Sequence, residues 1–333
     1  MLYVGVDAHK TTSQITVMDE KGNVVKGKRV PSSPAGLHEA LGDYQEPMKA
    51  VLEASYSWGP MYDWLDTIVD EVVLAHPNKV RAIADARIKT DKIDSETLAH
   101  LLRADLIPEA YAPSKDVRAI KRVLRQRLFF VRVQTMVKNR IRALLSQHAV
   151  ALPDVSDLYG KAGLRWLQTL QLPDPDGRLL QEELILLQVL KERIAVTDTM
   201  IKELAAGDEI ILWLGSLPGI GIFLAVLIRY EVAEITRFSE AKKFAGYTGL
   251  IPATFGTGPR LVHGRLVNQG NKWLRWAFIE AVTPAITHDV SLRRYYDKIK
   301  ARRGTTDART ATARKLAELA WTLWTQRRRY EYR

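Results

Sequence analysis

The sequence predicts an α/β domain followed by a mainly helical remainder, and three observations predict it. Short apolar runs alternate with turn residues through roughly the first hundred positions. From about residue 115 the apolar spacing turns helical and stays so. The charge also changes sign along the chain. Residues 1–110 carry 12 Lys+Arg against 17 Asp+Glu, whereas residues 111–333 carry 37 against 21, within a whole-chain net charge of +11.

The elements follow in order. Leu-Tyr-Val-Gly-Val-Asp, residues 2 to 7, reads as a buried strand. Three strands are predicted over 2–8, 12–18 and 23–30, with Asp19-Glu-Lys-Gly22 as the hairpin turn between the second and third. A short helix over 34–42 leads to a fourth strand, Met-Lys-Ala-Val-Leu-Glu, which ends at Glu53. A helix over 58–70, a buried strand from Val72 to Ala75 and a helix containing Asp91 and Asp94 complete the domain. Three antiparallel strands followed by alternating helix and strand is the order of an RNase H-like fold. In that order the ends of the first and fourth strands lie side by side.

This arrangement gives four carboxylates a chemical reading. Asp7 and Glu53 each close an apolar run, and Asp91 and Asp94 stand three apart on one helix face. Carboxylates from two neighbouring strand ends and one helix can hold two divalent cations for phosphodiester chemistry. A buried strand-end carboxylate needs a counter-charge, and no fixed Lys or Arg is obvious from the sequence. Turn formation by Asp7 or helix capping by Asp91 and Asp94 is the competing structural reading.

Beyond residue 115, Val117, Ile120, Leu124, Leu128, Val131, Ile141 and Leu145 keep helical spacing, with Arg118, Lys121, Arg122, Arg125, Arg132, Lys138 and Arg142 between them. Pro173-Asp-Pro-Asp-Gly177 breaks the pattern. A second helix then sets Leu180, Leu184, Leu187, Leu190, Ile194, Ile201 and Leu204 on one stripe. Two long helices around a Pro/Gly turn predict a helical hairpin of coiled-coil type, its apolar stripe serving as core or dimer contact. The basic face of the first helix, with Arg122, Arg125, Lys138 and Arg142, is a candidate for backbone phosphates.

The third region opens with Leu217-Pro-Gly-Ile-Gly221 between two apolar helices. Gly219 and Gly221 there let backbone N–H groups approach a phosphate at a helix start. A glycine-rich stretch follows, read as a flexible loop. It sets Thr257 between two glycines, with Arg260, His263, Arg265, Lys272 and Arg275 close behind. A hydroxyl ringed by cations suits attack on phosphate; an ordinary turn with a capping Thr is the alternative.

Composition bounds the rest. An apolar fraction of 47% over 333 residues is enough for more than one core. No cysteine is present, which excludes disulfides and thiolate metal sites. No run is long enough to span a membrane and no signal peptide is legible, so a soluble cytoplasmic, nucleoid-associated protein is expected. The basic remainder predicts a polyanion partner, most simply nucleic acid.

Tyr-Val-Gly-Val-Asp-Ala-His-Lys (3 to 10), Leu-Glu-Ala-Ser (52 to 55), Lys-Thr-Asp-Lys-Ile-Asp (89 to 94), Leu-Pro-Gly-Ile-Gly and His-Gly-Arg followed by Gln-Gly-Asn-Lys-Trp-Leu-Arg occur here in the order of one family. The chain resembles, end to end, the DEDD-type insertion-sequence transposases related to the Piv DNA invertase, the bridge-RNA-guided recombinases. The resemblance implies a RuvC-like nuclease domain over 1–112, a coiled-coil linker over 113–207 and, over 208–333, a C-terminal transposase domain with a helix-hairpin-helix-like turn. It implies Asp7, Glu53, Asp91 and Asp94 as the metal site for Mg²⁺ or Mn²⁺. The family's C-terminal serine, in a Ser-Gly pair, corresponds to Thr257 followed by Gly258. That is a departure, since a threonine methyl crowds the approach of the hydroxyl.

The expectation is a recombinase acting on double-stranded donor and target DNA, guided by a structured RNA and working as a homodimer or homotetramer on nucleic acid. A Holliday-junction-resolving nuclease using metal-activated water, and a non-catalytic nucleic-acid-binding protein, are the alternatives.

Overall fold

In a computed structural model the chain is described over residues 1–84, 90–257, 260–267 and 269–332, with backbone only for 254–257 and 260–265. Two compact units divide it, Met1–Pro113 and Ser114–Arg333. The first is mixed α/β and the second mainly helical.

The first unit is built on five strands: β1 (Leu2–Ala8), β2 (Thr12–Met18), β3 (Val24–Pro31), β4 (Met48–Glu53) and β5 (Glu71–Ala75). Their order is β3-β2-β1-β4-β5. β1, β2 and β3 pair antiparallel, while β4 and β5 join parallel. The β2–β3 turn is closed by Asp19, whose carboxylate accepts from the Asn23 backbone N–H at 2.8 Å and from its side-chain amide at 2.9 Å. This layout is consistent with an RNase H-like fold.

Period-2 alternation sorts the sheet into two faces. Val4, Val6, Ala50, Leu52 and Leu74 pack against α1 (Pro34–Leu41) and α2 (Trp58–Leu65). Tyr3, Val51 and Val73 face the other way, against α3 (Pro77–Ile83) and α4 (Asp91–Arg103). The first helix after β4 is shorter than the predicted 58–70. It stops at Leu65, and the Asp70 carboxylate accepts from the Met48 N–H at 2.7 Å. That bond ties residues 66–70 to the foot of β4, which a continuing helix would forbid. The helix α3 was not foreseen; Pro77 at its first turn is its main local signal.

The second unit opens with α5 (Lys115–Gln147), α6 (Lys161–Thr169) and α7 (Asp176–Ala205). α5 and α7 pack side by side through Val137, Ile141, Leu145, Leu180, Leu184, Leu187 and Leu190. Their connection is longer than the expected Pro/Gly turn, because residues 148–175 carry α6, which adds Leu167 to the same core. Arg127–Asp198 and Arg140–Glu183 ion pairs and a His148–Asp176 hydrogen bond fix their pairing. On α7 the buried stripe includes Thr197 and Ala205, while Ile194 and Leu204 are only partly covered.

The remaining elements are α8 (Glu209–Gly215), α9 (Ile222–Val232), α10 (Ala241–Tyr247), the hairpin of β6 (Pro252–Thr257) and β7 (Arg260–Leu266), α11 (Lys272–His288) and α12 (Val290–Thr325), which bends at Gly304. Leu124 of α5 and Ile201 of α7 share one buried cluster with α8, α9, α11 and α12. Among the described residues no helix is long and apolar enough to cross a membrane.

Candidate active site

The site begins with a missing side chain. Tyr3, Gly5 and Asp7 alternate onto the sheet face that α4 covers. A Cβ on Gly5 would lie 1.9 Å from the Ser95 carbonyl oxygen and 2.7 Å from the Ala99 nitrogen of α4. Only glycine lets the helix backbone rest on the strand. A buried hydroxyl pair, Thr16 of β2 with Ser95 at 2.8 Å, locks the same contact and contributes about 1 kcal/mol.

Docked in this way, α4 presents its first turn to the strand ends. Thr90 caps it by accepting from the Ile93 N–H at 3.2 Å. Asp94, Leu98 and Leu102 continue one face by i, i+4 steps, so Asp94 follows the buried stripe inward. β1 and β4 are parallel neighbours with Val6 opposite Leu52, which sets Asp7 beside Glu53 at the carboxyl ends. Asp7, Glu53 and Asp94 then line one recess of about 180 Å³, closed by Pro77, Val80, Arg81, Ala84, Thr97 and Leu98.

Asp91 stands at its edge rather than in its lining. It meets Asp7 through His9, whose Nε2 is 3.2 Å from Asp7 Oδ2 and 3.4 Å from Asp91 Oδ1. The second Asp91 oxygen faces Arg29 of β3 at 3.4 Å. His9 and Arg29 are thus the partners of these carboxylates that the sequence did not reveal. The i, i+2 spacing of Asp7 and His9 was the available signal for one of them.

Burial pushes the Asp7 carboxyl above its ordinary value; His9 pulls it down, and the nearby Asp91 and Asp94 raise it further. Crowded hard-oxygen donors whose charge is disfavoured in the free protein fit a divalent cation, which would relieve that repulsion. The described residues therefore contain a candidate acidic metal site.

The other expected contacts divide. Gly219 has φ +82 and lies against the Ala281 carbonyl, where a Cβ would come within 2.2 Å. Its glycine is required by packing on α11, while Gly221 is exposed at the start of α9. Arg122 is exposed on α5, Lys138 and Arg142 lie over the Tyr159 ring, and Lys272 lies over Trp273. Arg125, exposed like Arg122, and the partly buried Arg275 each also meet a protein partner. Arg275 donates to the Val267 carbonyl and lies under Gly249.

Arg125 serves Glu231, a carboxylate of α9 that sequence reasoning missed and that is 2% exposed. Arg125 donates to Oε1 at 3.1 Å, Lys121 lies 3.4 Å from Oε2, and the Asn271 amide donates to Oε2 at 2.9 Å. Asn271 also caps α11 by accepting from Trp273 and Leu274.

The glycine-rich stretch expected to be a loop is a two-stranded antiparallel ladder in which Thr257 pairs with Arg260. The side chains of Thr257, Arg260, His263 and Arg265, and all of Lys89, Gly258 and Asn268, lie outside the described residues.

A family model of DEDD type described as "Transposase" matches residues 4–150. A second, described as "Transposase IS116/IS110/IS902 family", matches residues 213–297. A "Probable family 20 transposase" of Pseudomonas aeruginosa is 26% identical over 337 residues, covering 96% of each chain. The transposase for insertion sequence element IS1328 of Yersinia enterocolitica is 24% identical over 97% of this chain and 96% of its own. The transposase for insertion sequence element IS1111A of Coxiella burnetii is 25% identical over 98% and 90%. With both family models matched in order, and relatives aligned along nearly the whole length, the chain belongs to the IS116/IS110/IS902 family of transposases, DNA-recombining enzymes of insertion sequences.

Proposed function

We propose that this transposase cuts and rejoins double-stranded donor and target DNA with Mg²⁺ or Mn²⁺ held by Asp7, Glu53, Asp91 and Asp94, and with the Thr257 hydroxyl as nucleophile. The observation that carries the reading is the convergence of Asp7, Glu53 and Asp94 on one recess with Asp91 at its edge. The bound cation would polarise the scissile phosphate. The protein's own part is to hold the carboxylates in place through α4, and to set Thr257 at the end of a hairpin. Residues 1–112 act as the nuclease domain, 113–207 as a coiled-coil linker and 208–333 as the transposase domain. Arg122, Lys138, Arg142 and Lys272 contact backbone phosphates, as do the cationic positions 260, 263 and 265. The residues after 110, with their excess of cations, receive a structured guide RNA from the same element. A cytoplasmic, nucleoid-associated location follows from this activity.

The test is a nicked suicide substrate bearing the element's end. The parent chain, expressed with the element's flanking non-coding sequence, should form a covalent protein–DNA species. Thr257→Ser should form at least as much, because the smaller hydroxyl is less crowded. Thr257→Ala should bind DNA and form none. An adduct of parental yield from Thr257→Ala would sink the nucleophile, and equal yield without the flanking RNA would sink the guide.

We further propose a homodimer through α7. Beside its buried stripe, α7 exposes Leu179, Leu186, Val189, Val196 and Met200, spaced as a second a/d heptad seam. Glu182 and Arg193 fill the two charged positions of that seam. In an antiparallel pair centred between Leu186 and Val189, Glu182 of each copy meets Arg193 of the other. Glu182→Arg should therefore sediment as monomer, and adding Arg193→Glu should restore association. A fully dimeric Glu182→Arg chain, or a parent that is strictly monomeric on DNA, would refute this.

A further inference from the structure

We propose that His9 is a nitrogen ligand to a metal shared with Asp7 and Asp91, so that the site has two halves: a carboxylate recess of Asp7, Glu53 and Asp94, and an Asp7–His9–Asp91 rim with Asp7 common to both. This rests on the metal-site reading above and adds a donor outside the four carboxylates.

One atom from each of Asp7, His9 and Asp91 lies within 4.8 Å of the others. His9 Nε2 is 3.2 Å and 3.4 Å from its two carboxylate oxygens. Adjacent donors around one cation at metal–ligand distances near 2.1 Å are separated by about 3.0 to 3.4 Å, depending on geometry. The His9 nitrogen therefore already stands at the spacing of a coordination shell from each of the two carboxylates. One imidazole nitrogen facing an oxygen of each of two carboxylates is an arrangement that a cation between them would hold.

The backbone of His9 is also held in place. Its N–H donates to the Thr12 carbonyl at 3.1 Å, and its own carbonyl accepts from the Ser32 hydroxyl at 2.8 Å. Ser32 meets Ser13 at 2.7 Å as well. The β1–β2 turn is thus pinned to the end of β3, and the imidazole leaves from a fixed point. Arg29 occupies the outer oxygen of Asp91, which leaves the inner one for His9. A ligand that is itself oriented by its neighbours is how metal sites hold their geometry.

The experiment uses the full chain and Mn²⁺ alone, without DNA. Electron spin-echo modulation of the bound Mn²⁺ should show a directly coordinated nitrogen in the parent chain. His9→Ala should lose that signal and bind Mn²⁺ about tenfold or more weakly. Asp94→Asn should weaken Mn²⁺ yet keep a nitrogen signal from the remaining ion. Carboxylate-dependent Mn²⁺ binding with no nitrogen signal, or a signal that survives His9→Ala, would overturn the role of His9 alone. Mn²⁺ binding indifferent to Asp7→Asn and Asp94→Asn would instead overturn the metal-site reading beneath it.

Discussion

Asp7→Asn is expected to abolish strand cleavage and joining while leaving the fold intact. The loss should be on the order of a thousandfold or more, the scale of removing one group that stabilises transition-state charge. Asp7 belongs to both halves of the site, so its replacement disturbs each. The free protein should not suffer. Burial, against the pull of His9 and with the push of Asp91 and Asp94, holds the Asp7 carboxyl above its ordinary value. A raised carboxylate binds its proton more tightly folded than unfolded, so its ionised form costs stability, and that cost appears as pH rises through the shifted value. Asparagine removes the charge and the cost. The metal-free variant should melt no lower than the parent near neutral pH, and the parent should lose metal as pH falls through the raised value, where protons compete for the ligand. Calorimetry with and without Mn²⁺, beside a cleavage assay, checks both halves. A cleaving variant, or one that unfolds, would contradict the account.

Glu231→Leu should cost about 3–5 kcal/mol, the largest stability loss expected from a single change in the second unit. The carboxylate is 2% exposed and its partner Lys121 only 11%. Removing it leaves that ammonium buried with no counter-charge, releases Arg125 and strips a hydrogen bond from Asn271, which caps α11. The damage reaches function because α11 follows the hairpin that carries Thr257. The Asn271 N–H also donates to the Tyr247 carbonyl, and Arg275 of α11 donates to Val267. Chemical denaturation measures the loss, and Glu231→Leu with Lys121→Met should recover much of it by making the site apolar throughout. A loss below about 1 kcal/mol for Glu231→Leu would show that this network does not organise the unit.

The N-terminal sheet was legible because period-2 alternation, a hairpin turn and two strand-end carboxylates are local signals. The juxtaposition of β1 and β4 followed from element order. What the sequence hid depends on contacts across elements. His9 reaches Asp7 and Asp91 from a β1–β2 turn that is fastened to Ser32, just after β3. Gly5 reads as one more small residue until α4 lies on it. Basic residues at helical spacing look alike, yet Arg125 and Arg275 each meet a protein partner, because Glu231 and the Val267 carbonyl lie where those two can reach. The stretch around Thr257 read as a loop because its glycines mask strand alternation, although Thr254, Phe255 and Val262 favour a ladder. On α7 two apolar stripes share one helix. Counting the leucines found the inner one and passed over the outer, which takes its spacing partly from valine and methionine.

The central claim is that these four carboxylates hold the metal, and anomalous scattering from crystals soaked in Mn²⁺ tests it most directly. The account predicts anomalous density in the recess between Asp7, Glu53 and Asp94 and beside Asp91, lost in crystals of Asp7→Asn. Density confined to other carboxylates, in crystals of a chain that cleaves DNA with Mn²⁺, would contradict it.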